Sequence, residues 1–249
     1  MSGHSKWATI KHKKGAADAK RGKLFAKLAR QIEVSARAGG GDPDMNPTLR
    51  TAVQKAKAAS MTNDAIDRAI KRGTGESDGD AYEDITYEGN APGGVALLID
   101  VLTDNRNRTS ADNRNILSKM GGSMAEPGAV GWQFTRRGIV LVEGPVDEDE
   151  LMMAALDAGA EDVAGSAETW TVTCDPSDTF EVKETLEGAG YTVMSADMPM
   201  VSDNLGPVET VEDAKKLLRI LDAIEDNDDV QDVYSNFDIS DDVMEAAAS

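Results

Sequence analysis

The sequence predicts an α+β protein: an N-terminal three-helix domain followed by two α/β domains, one ferredoxin-like (βαββαβ) and inserted in the other. Three observations predict it. Apolar residues recur every three or four positions up to about Gly73 and alternate afterwards, so helix gives way to strand near residue 80. Residues 138 to 198 read β-α-β-β-α-β, the order of the split βαβ unit. An isolated α-β piece closes the chain and completes the pattern begun before residue 138.

Residues 1 to 14 carry no helical apolar stripe and read as an arm without a fold of its own. Phe25, Leu28, Ile32 and Ala36 then share one face of a helix expected from about Ala16 to Arg37, closed by Gly39-Gly40-Gly41. Asn46-Pro47 supplies a cap and a first-turn proline for a second helix with Leu49, Val53 and Ala56 inward. Thr62 is placed to cap a third, with Ile66, Ala69 and Ile70 inward and Gly73 at its end. A polar linker, Thr74 to Asp80, follows. Strands are expected over Tyr82 to Glu88 and Val95 to Leu102, then a helix from about Ser110 to Met120 and a strand Val130 to Phe134. Next come a strand Ile139 to Val142, a helix capped by Asp147, and a brief strand at Asp162-Val163. A longer strand Thr169 to Cys174, a helix capped by Ser177 and a strand Tyr191 to Ala196 close that unit. A helix Val211 to Ile224 and a strand Val230 to Phe237 remain. This organisation divides the chain into a basic helical head with its arm (residues 1–80), a middle domain (81–136 plus 206–249) and an inserted domain (137–205).

Charge is divided in the same way. The first 37 residues hold ten Lys/Arg against two acids, in a protein whose total is -19. To Gly73 the balance is +10, which leaves 10 basic and 39 acidic residues for everything after it. A basic head on an acidic body suits a protein of which one end touches polyanion and the rest avoids it, so nucleic acid is the partner expected. Phosphate contacts are assigned to Lys6, Lys11, His12, Lys13, Lys14, Lys20, Arg21, Lys23 and Lys27, with Trp7 available to stack on an unpaired base. The alternative is a solvated helix face with a lysine-rich tail.

The remaining motifs limit the chemistry. Thr103-Asp-Asn-Arg-Asn-Arg-Thr109 joins the most apolar strand to a helix, where ligand-binding groups often sit. Asn105, Arg106, Asn107 and Arg108 therefore make either a second contact or a polar loop in which Asp104 and Asn105 cap the chain locally. His4 and His12 have no cysteine near them and no scaffold, so no metal site is expected. The acidic runs Asp147 to Glu150 and Glu225 to Asp229 lack the periodicity and turn glycine of a calcium loop and read as helix-end charge and solubility. Neither a nucleophile–base pair nor a phosphate-binding glycine loop stands out, so neither enzyme activity, cofactor nor small-molecule substrate is expected. Cys174, the single cysteine, sits in an alternating strand pattern as a packed thiol. With no apolar run of membrane-spanning length and no apolar core behind the basic N-terminus, a cytoplasmic location is expected.

Several long stretches resemble the YebC/PmpR family of bacterial proteins, whose mitochondrial relative is a translational activator. They are Gly3 to Gly15, Asp18 to Gly22, Asn46-Pro47, Ala69 to Gly75, Tyr87-Glu-Gly, Leu102 to Thr109 and Tyr234 to Ile239. The resemblance spans the chain and is loosest over Ser110 to Asn115 and Met124 to Gly131. It implies a helical head and two α/β domains without catalytic activity. It further implies either DNA-binding control of transcription or action on translation, easing ribosomes through stretches such as consecutive prolines. A loose arm with a tryptophan and small helices suits RNA better than the groove-reading helix of a DNA regulator, and an acidic body is repelled by a long duplex. The ribosome is accordingly the favoured partner and DNA the alternative.

Removing residues 1 to 14 is expected to leave the melting temperature unchanged while weakening RNA or ribosome binding by at least ~10-fold. Trp7→Ala should cost about 1–3 kcal/mol of that affinity with Trp7→Phe recovering part of it. Undiminished binding of the truncated protein at the same salt would show the arm to be a solvated tail.

Overall fold

The computed structural model describes residues 18–75, 82–166 and 168–248, so the arm with Lys6, Trp7, Lys11, His12, Lys13 and Lys14 lies outside the described residues. The head consists of α1 (Asp18–Gly39), α2 (Pro47–Ala58) and α3 (Asn63–Thr74). Next come β1 (Glu83–Asn90), β2 (Ala96–Thr103), α4 (Arg106–Lys119), β3 (Ser123–Met124) and β4 (Phe134–Arg136). The inserted unit comprises β5 (Gly138–Glu143), α5 (Glu148–Asp157), β6 (Ala160–Ser166), β7 (Thr169–Cys174), α6 (Thr179–Gly188) and β8 (Val193–Asp197). The chain returns through β9 (Met200–Ser202) and β10 (Gly206–Pro207) to α7 (Val211–Glu225), β11 (Val230–Ser235), β12 (Phe237–Asp238) and α8 (Asp241–Ala248).

The head closes around Leu28, Ile32, Leu49, Val53 and Ile66, with alanines at the helix crossings. Small residues let backbones meet. A Cβ on Gly73 would collide with the carbonyl oxygen of Glu33, so this glycine, at the end of α3 as expected, also lets α3 rest directly on α1. Asn46 does two jobs: its Oδ1 accepts the Leu49 N–H at 3.1 Å, while its Nδ2 donates to the carbonyls of Ser35 and Gly40. It thereby caps α2 and ties down the end of α1. Thr62 precedes α3 as expected, but its side chain makes no capping bond; its backbone carbonyl accepts from Ala65 and Ile66.

The middle domain is an antiparallel sheet in the order β11-β2-β1-β3. β2 is its centre, and its apolar run is explained by burial on both faces. Leu97, Ile99 and Val101 pack against α7 residues such as Leu217, Leu221 and Ile224, whereas Ala96 and Leu98 meet Phe134 and Tyr234 on the other side. Three elements differ from expectation. The strand expected over Val130 to Phe134 is instead a 3-10 turn, Gly131–Gln133, leading into β4 at Phe134, because β4 is placed by its pairing with β9 over Phe134 to Arg136. α4 begins at Arg106 instead of Ser110, because Asn105 caps it and its inward positions are Thr109, Asn113 and Leu117, two of them polar. A terminal helix, α8, also packs on α7 through Met244.

Residues 138 to 197 form the ferredoxin-like unit, with strand order β6-β7-β5-β8 and all three pairings antiparallel. It is inserted in the middle domain: β4 leads out, β9 leads back, and the two pair antiparallel through Phe134↔Ser202 and Arg136↔Met200. Val140, Val142, Trp170 and Val172 face Leu151, Ala155, Val182 and Leu186 of the two helices. Asp147 caps α5 by accepting the Glu150 N–H at 3.0 Å. Ser177 does not cap α6, whose N-terminal flank is Asp178; its hydroxyl lies 2.7 Å from Asp175 Oδ1. The brief strand expected at Asp162-Val163 extends over Ala160–Ser166. Cys174 is fully buried on β7, and burial pushes its thiol pKa up, which fits a packed group.

Gly73→Ala has no room against Glu33 and Ala36 and should destabilise the protein by about 1–3 kcal/mol in urea denaturation. A loss below about 0.5 kcal/mol, the range of an ordinary surface substitution, would contradict this close approach.

Candidate nucleic-acid interface

One carboxylate, Asp229, stands at the centre of the contact between head and body. β2 ends at Thr103, and the following Asp104-Asn105 leads into α4; Asn105 Oδ1 accepts the Arg108 N–H at 3.1 Å. The first turn of α4 is thereby fixed with Arg108 and Thr109 pointing back towards the strand end. Asp229 enters from the other side, just before β11, and its backbone carbonyl accepts the Leu102 N–H at 2.8 Å. Its Oδ2 lies 2.9 Å from Arg108 Nη2, 2.7 Å from Thr109 Oγ1 and 3.1 Å from Thr103 Oγ1. Its Oδ1 accepts from Arg30 Nη1 of α1 at 3.2 Å. Burial by itself would raise the Asp229 pKa, but the Arg108 guanidinium and the two threonine hydroxyls outweigh it and hold the carboxyl below the ordinary range. Arg108 is raised in turn by Asp229 and Asp104, the latter 2.6 Å away.

Three cations on successive turns of α1 converge on the same place. Arg30 also donates to the carbonyls of Leu102 and Asp228, and its guanidinium lies 5.1 Å from the centre of the Tyr82 ring. Lys27 donates to the carbonyl of Glu225 at 2.6 Å, and Lys23 to the carbonyl and Oδ1 of Asp226. These carbonyls are the open C-terminal end of α7. A helix end carries partial negative charge, and α7 has no basic residue in its last turn to offset it. The run Glu225 to Asp229 makes matters worse for an isolated helix; the head supplies the missing positive charge. This acidic run is therefore a dock for the head, beyond the helix-end charge and solubility expected for it.

The residues expected to touch nucleic acid thus fall into separate places. Lys23 and Lys27 are turned to the body. Lys20 and Arg21 lie on the first turn of α1, ahead of Lys23. Asn105 caps α4, as in the capping alternative, and Arg108 is held by Asp104 nearby and by Asp229 across the junction, while Arg106 and Asn107 are exposed on the first turn of α4. Arg30, Thr103, Thr109 and Asp229 were not among the expected site residues. Two threonines bracketing the Asp-Asn-Arg-Asn-Arg stretch, and an acidic run following a helix without terminal bases, are the signals that would have found them. Among the described residues, no group of three or more His, Cys, Asp or Glu is arranged to hold a metal ion, and no helix is long and apolar enough to cross a membrane.

This three-part architecture, with its Thr103–Thr109 loop clamped at the head–body junction, defines an α+β protein whose basic helical head is held on an acidic body. Comparison with known proteins gives its lineage. Residues 5–76 match the TACO1/YebC protein N-terminal domain and residues 82–237 the TACO1/YebC second and third domain. The chain belongs to the TACO1/YebC family. A "Probable transcriptional regulatory protein" of Halothermothrix orenii is 57% identical over 248 residues, covering 98% of each chain. One of the same name from Rubrobacter xylanophilus is 56% identical over 250 residues, covering 100% of each. The crystal structure of a conserved hypothetical protein from Aquifex aeolicus superposes with a TM-score of 0.78 at 43% identity, over 90% of this chain and 93% of that one.

The junction makes stability depend on acid in a defined direction. Because the folded-state pKa of Asp229 is lowered, its contribution is present above the unfolded value near 3.8 and is lost as pH falls through the folded one. Asp229→Asn should cost about 1–2 kcal/mol at pH 7, Arg108 being half exposed. The difference from the unsubstituted protein should shrink as pH falls below 3.8 and on through the lowered folded-state value, as followed by urea denaturation at a series of pH values. A pH-independent difference would mean that the carboxylate charge is not what holds the junction.

Proposed function

We propose that this protein is a non-enzymatic, nucleic-acid-binding regulator of gene expression, acting in the cytoplasm on the ribosome as a translation factor that relieves stalling, for example at runs of proline. The observation that carries the reading is the segregation of charge, +10 up to Gly73 against 39 acidic and 10 basic residues beyond it. The phosphate contacts are assigned chiefly to the cations that precede the docked face of α1: Lys6, Lys11, Lys13, Lys14, Lys20 and Arg21, with His12 beside them and Trp7 stacking on an exposed base. Lys23 and Lys27 are available only by exchanging the α7 end for phosphate. Arg106 and Asn107 provide the exposed part of a second contact, held in place by Asn105 and Arg108. A ribosomal cavity that admits the head alone keeps the acidic body away from most of the RNA charge, whereas a long duplex lying along the molecule would not.

Control of transcription through DNA is the second reading, favoured by the names that the bacterial relatives carry. The two readings separate cleanly. A ribosome-acting factor co-sediments with ribosomes, and its loss slows elongation at particular codons while transcript levels stay nearly constant. A transcriptional regulator protects a promoter site at physiological salt with an affinity at least ~1,000-fold above random duplex, and its loss changes transcript levels first. We expect the former; selective promoter footprinting without ribosome association would overturn it.

A further inference from the structure

The inserted domain carries a surface that the head's chemistry does not explain. Along α5, Leu151 and Ala155 are fully buried against the sheet, while Met153 is 67% and Leu156 52% exposed on the opposite side. Asp149, Met153 and Leu156 stand at i, i+4 and i+7, so they form one line along the outermost edge of the helix, flanked by Glu150 and Asp157. First-turn acids on a helix need no special explanation, since they complement its dipole. Two large apolar side chains held out in water beside them do, because solvent exposure forfeits the stabilisation that burying them would give.

The electrostatic setting narrows what could cover them. Residues 137 to 205 contain sixteen Asp/Glu against two Lys/Arg, and both bases are paired inside the segment: Arg137 with Glu161 and Lys183 with Glu187, each at 2.7 Å. Nucleic acid, an anionic lipid surface or the same face of a second copy would all be repelled. We propose that the outward face of α5 docks a Lys/Arg-rich protein segment bearing apolar anchors, the acids steering it and Met153 with Leu156 fixing its register. The chain then holds a polycation-binding face on the inserted domain and a polyanion-seeking head at its other end, a pairing suited to the mixed RNA and basic-protein surface of a ribonucleoprotein. The docking face itself does not depend on what the head binds.

The test contains no nucleic acid. Full-length protein with 13C-methyl methionine is titrated with a synthetic amphipathic Lys/Leu peptide and, separately, with a Lys-only peptide of equal charge. The Met153 methyl signal should shift with the Lys/Leu peptide while the core signal of Met244 stays put. Met153→Ser combined with Leu156→Ser should weaken that peptide at least ~10-fold, change Lys-only binding less than ~2-fold and leave the melting temperature in place. Equal affinity of the two peptides, an unmoved Met153 signal or an unaffected double variant would overturn the proposal, leaving the acids as solubility charge. Self-association of the unliganded protein that the double variant abolishes would also overturn it, by assigning the face to the head of a second copy.

Discussion

The Asp229 carboxylate is the interaction on which the arrangement of this molecule depends. It collects the end of β2 through Thr103, the start of α4 through Arg108 and Thr109, and the head through Arg30. Each partner lies far from Asp229 in sequence, so this one side chain converts three independent segments into a single junction. The energetics are conditional: a carboxylate with 9% exposure is costly to bury, and it is tolerated because both oxygens are occupied by donors, two of them cationic. Removing a donor leaves the rest of the cost in place, which makes such a node more sensitive to substitution than its net stabilisation suggests.

Around that node the contacts grade from firm to weak. Arg30 and Asp229 are largely shielded, whereas Lys23 and Asp226, with 45% and 66% of their side chains exposed, form the kind of pair that contributes at most about 1 kcal/mol and is screened by salt. The head is therefore anchored at its Arg30 end and loosely charged towards the N-terminal end of α1. Polyanion can take Lys23 from Asp226 at small cost, while displacing Arg30 would require breaking the node. The electrostatic division of the chain thus has a physical seam. Lys23 is held only by an exposed pair, whereas Arg30, two turns further along α1, is bound into the node.

Much of this fold was legible in the sequence because apolar spacing reports burial. The three head helices, the βαββαβ unit and the return of the last helix and strand all follow from residues such as Leu28, Ile32, Val140 and Leu217 recurring at helical or strand period. The start of α4 was hidden because its inward stripe is Thr109, Asn113 and Leu117, the right spacing carried by polar side chains. Asn113 is completely buried, and its side-chain nitrogen and oxygen make no hydrogen bond within the described residues, so composition alone marks it as a loop residue. The junction was hidden for a different reason. Arg30, Arg108 and Asp229 are ordinary charged residues, and what distinguishes them is a meeting across 199 and 121 positions that no local period encodes.

The claim that Asp229 couples head to body is tested most directly by a double-mutant cycle between Arg30→Ala and Asp229→Ala, followed by urea denaturation at neutral pH. The account predicts a coupling energy of about 1–3 kcal/mol, because the pair is charged, shielded and shared with Arg108. Additive effects, with a coupling below about 0.3 kcal/mol, would contradict it and reduce the head–body contact to unspecific charge attraction.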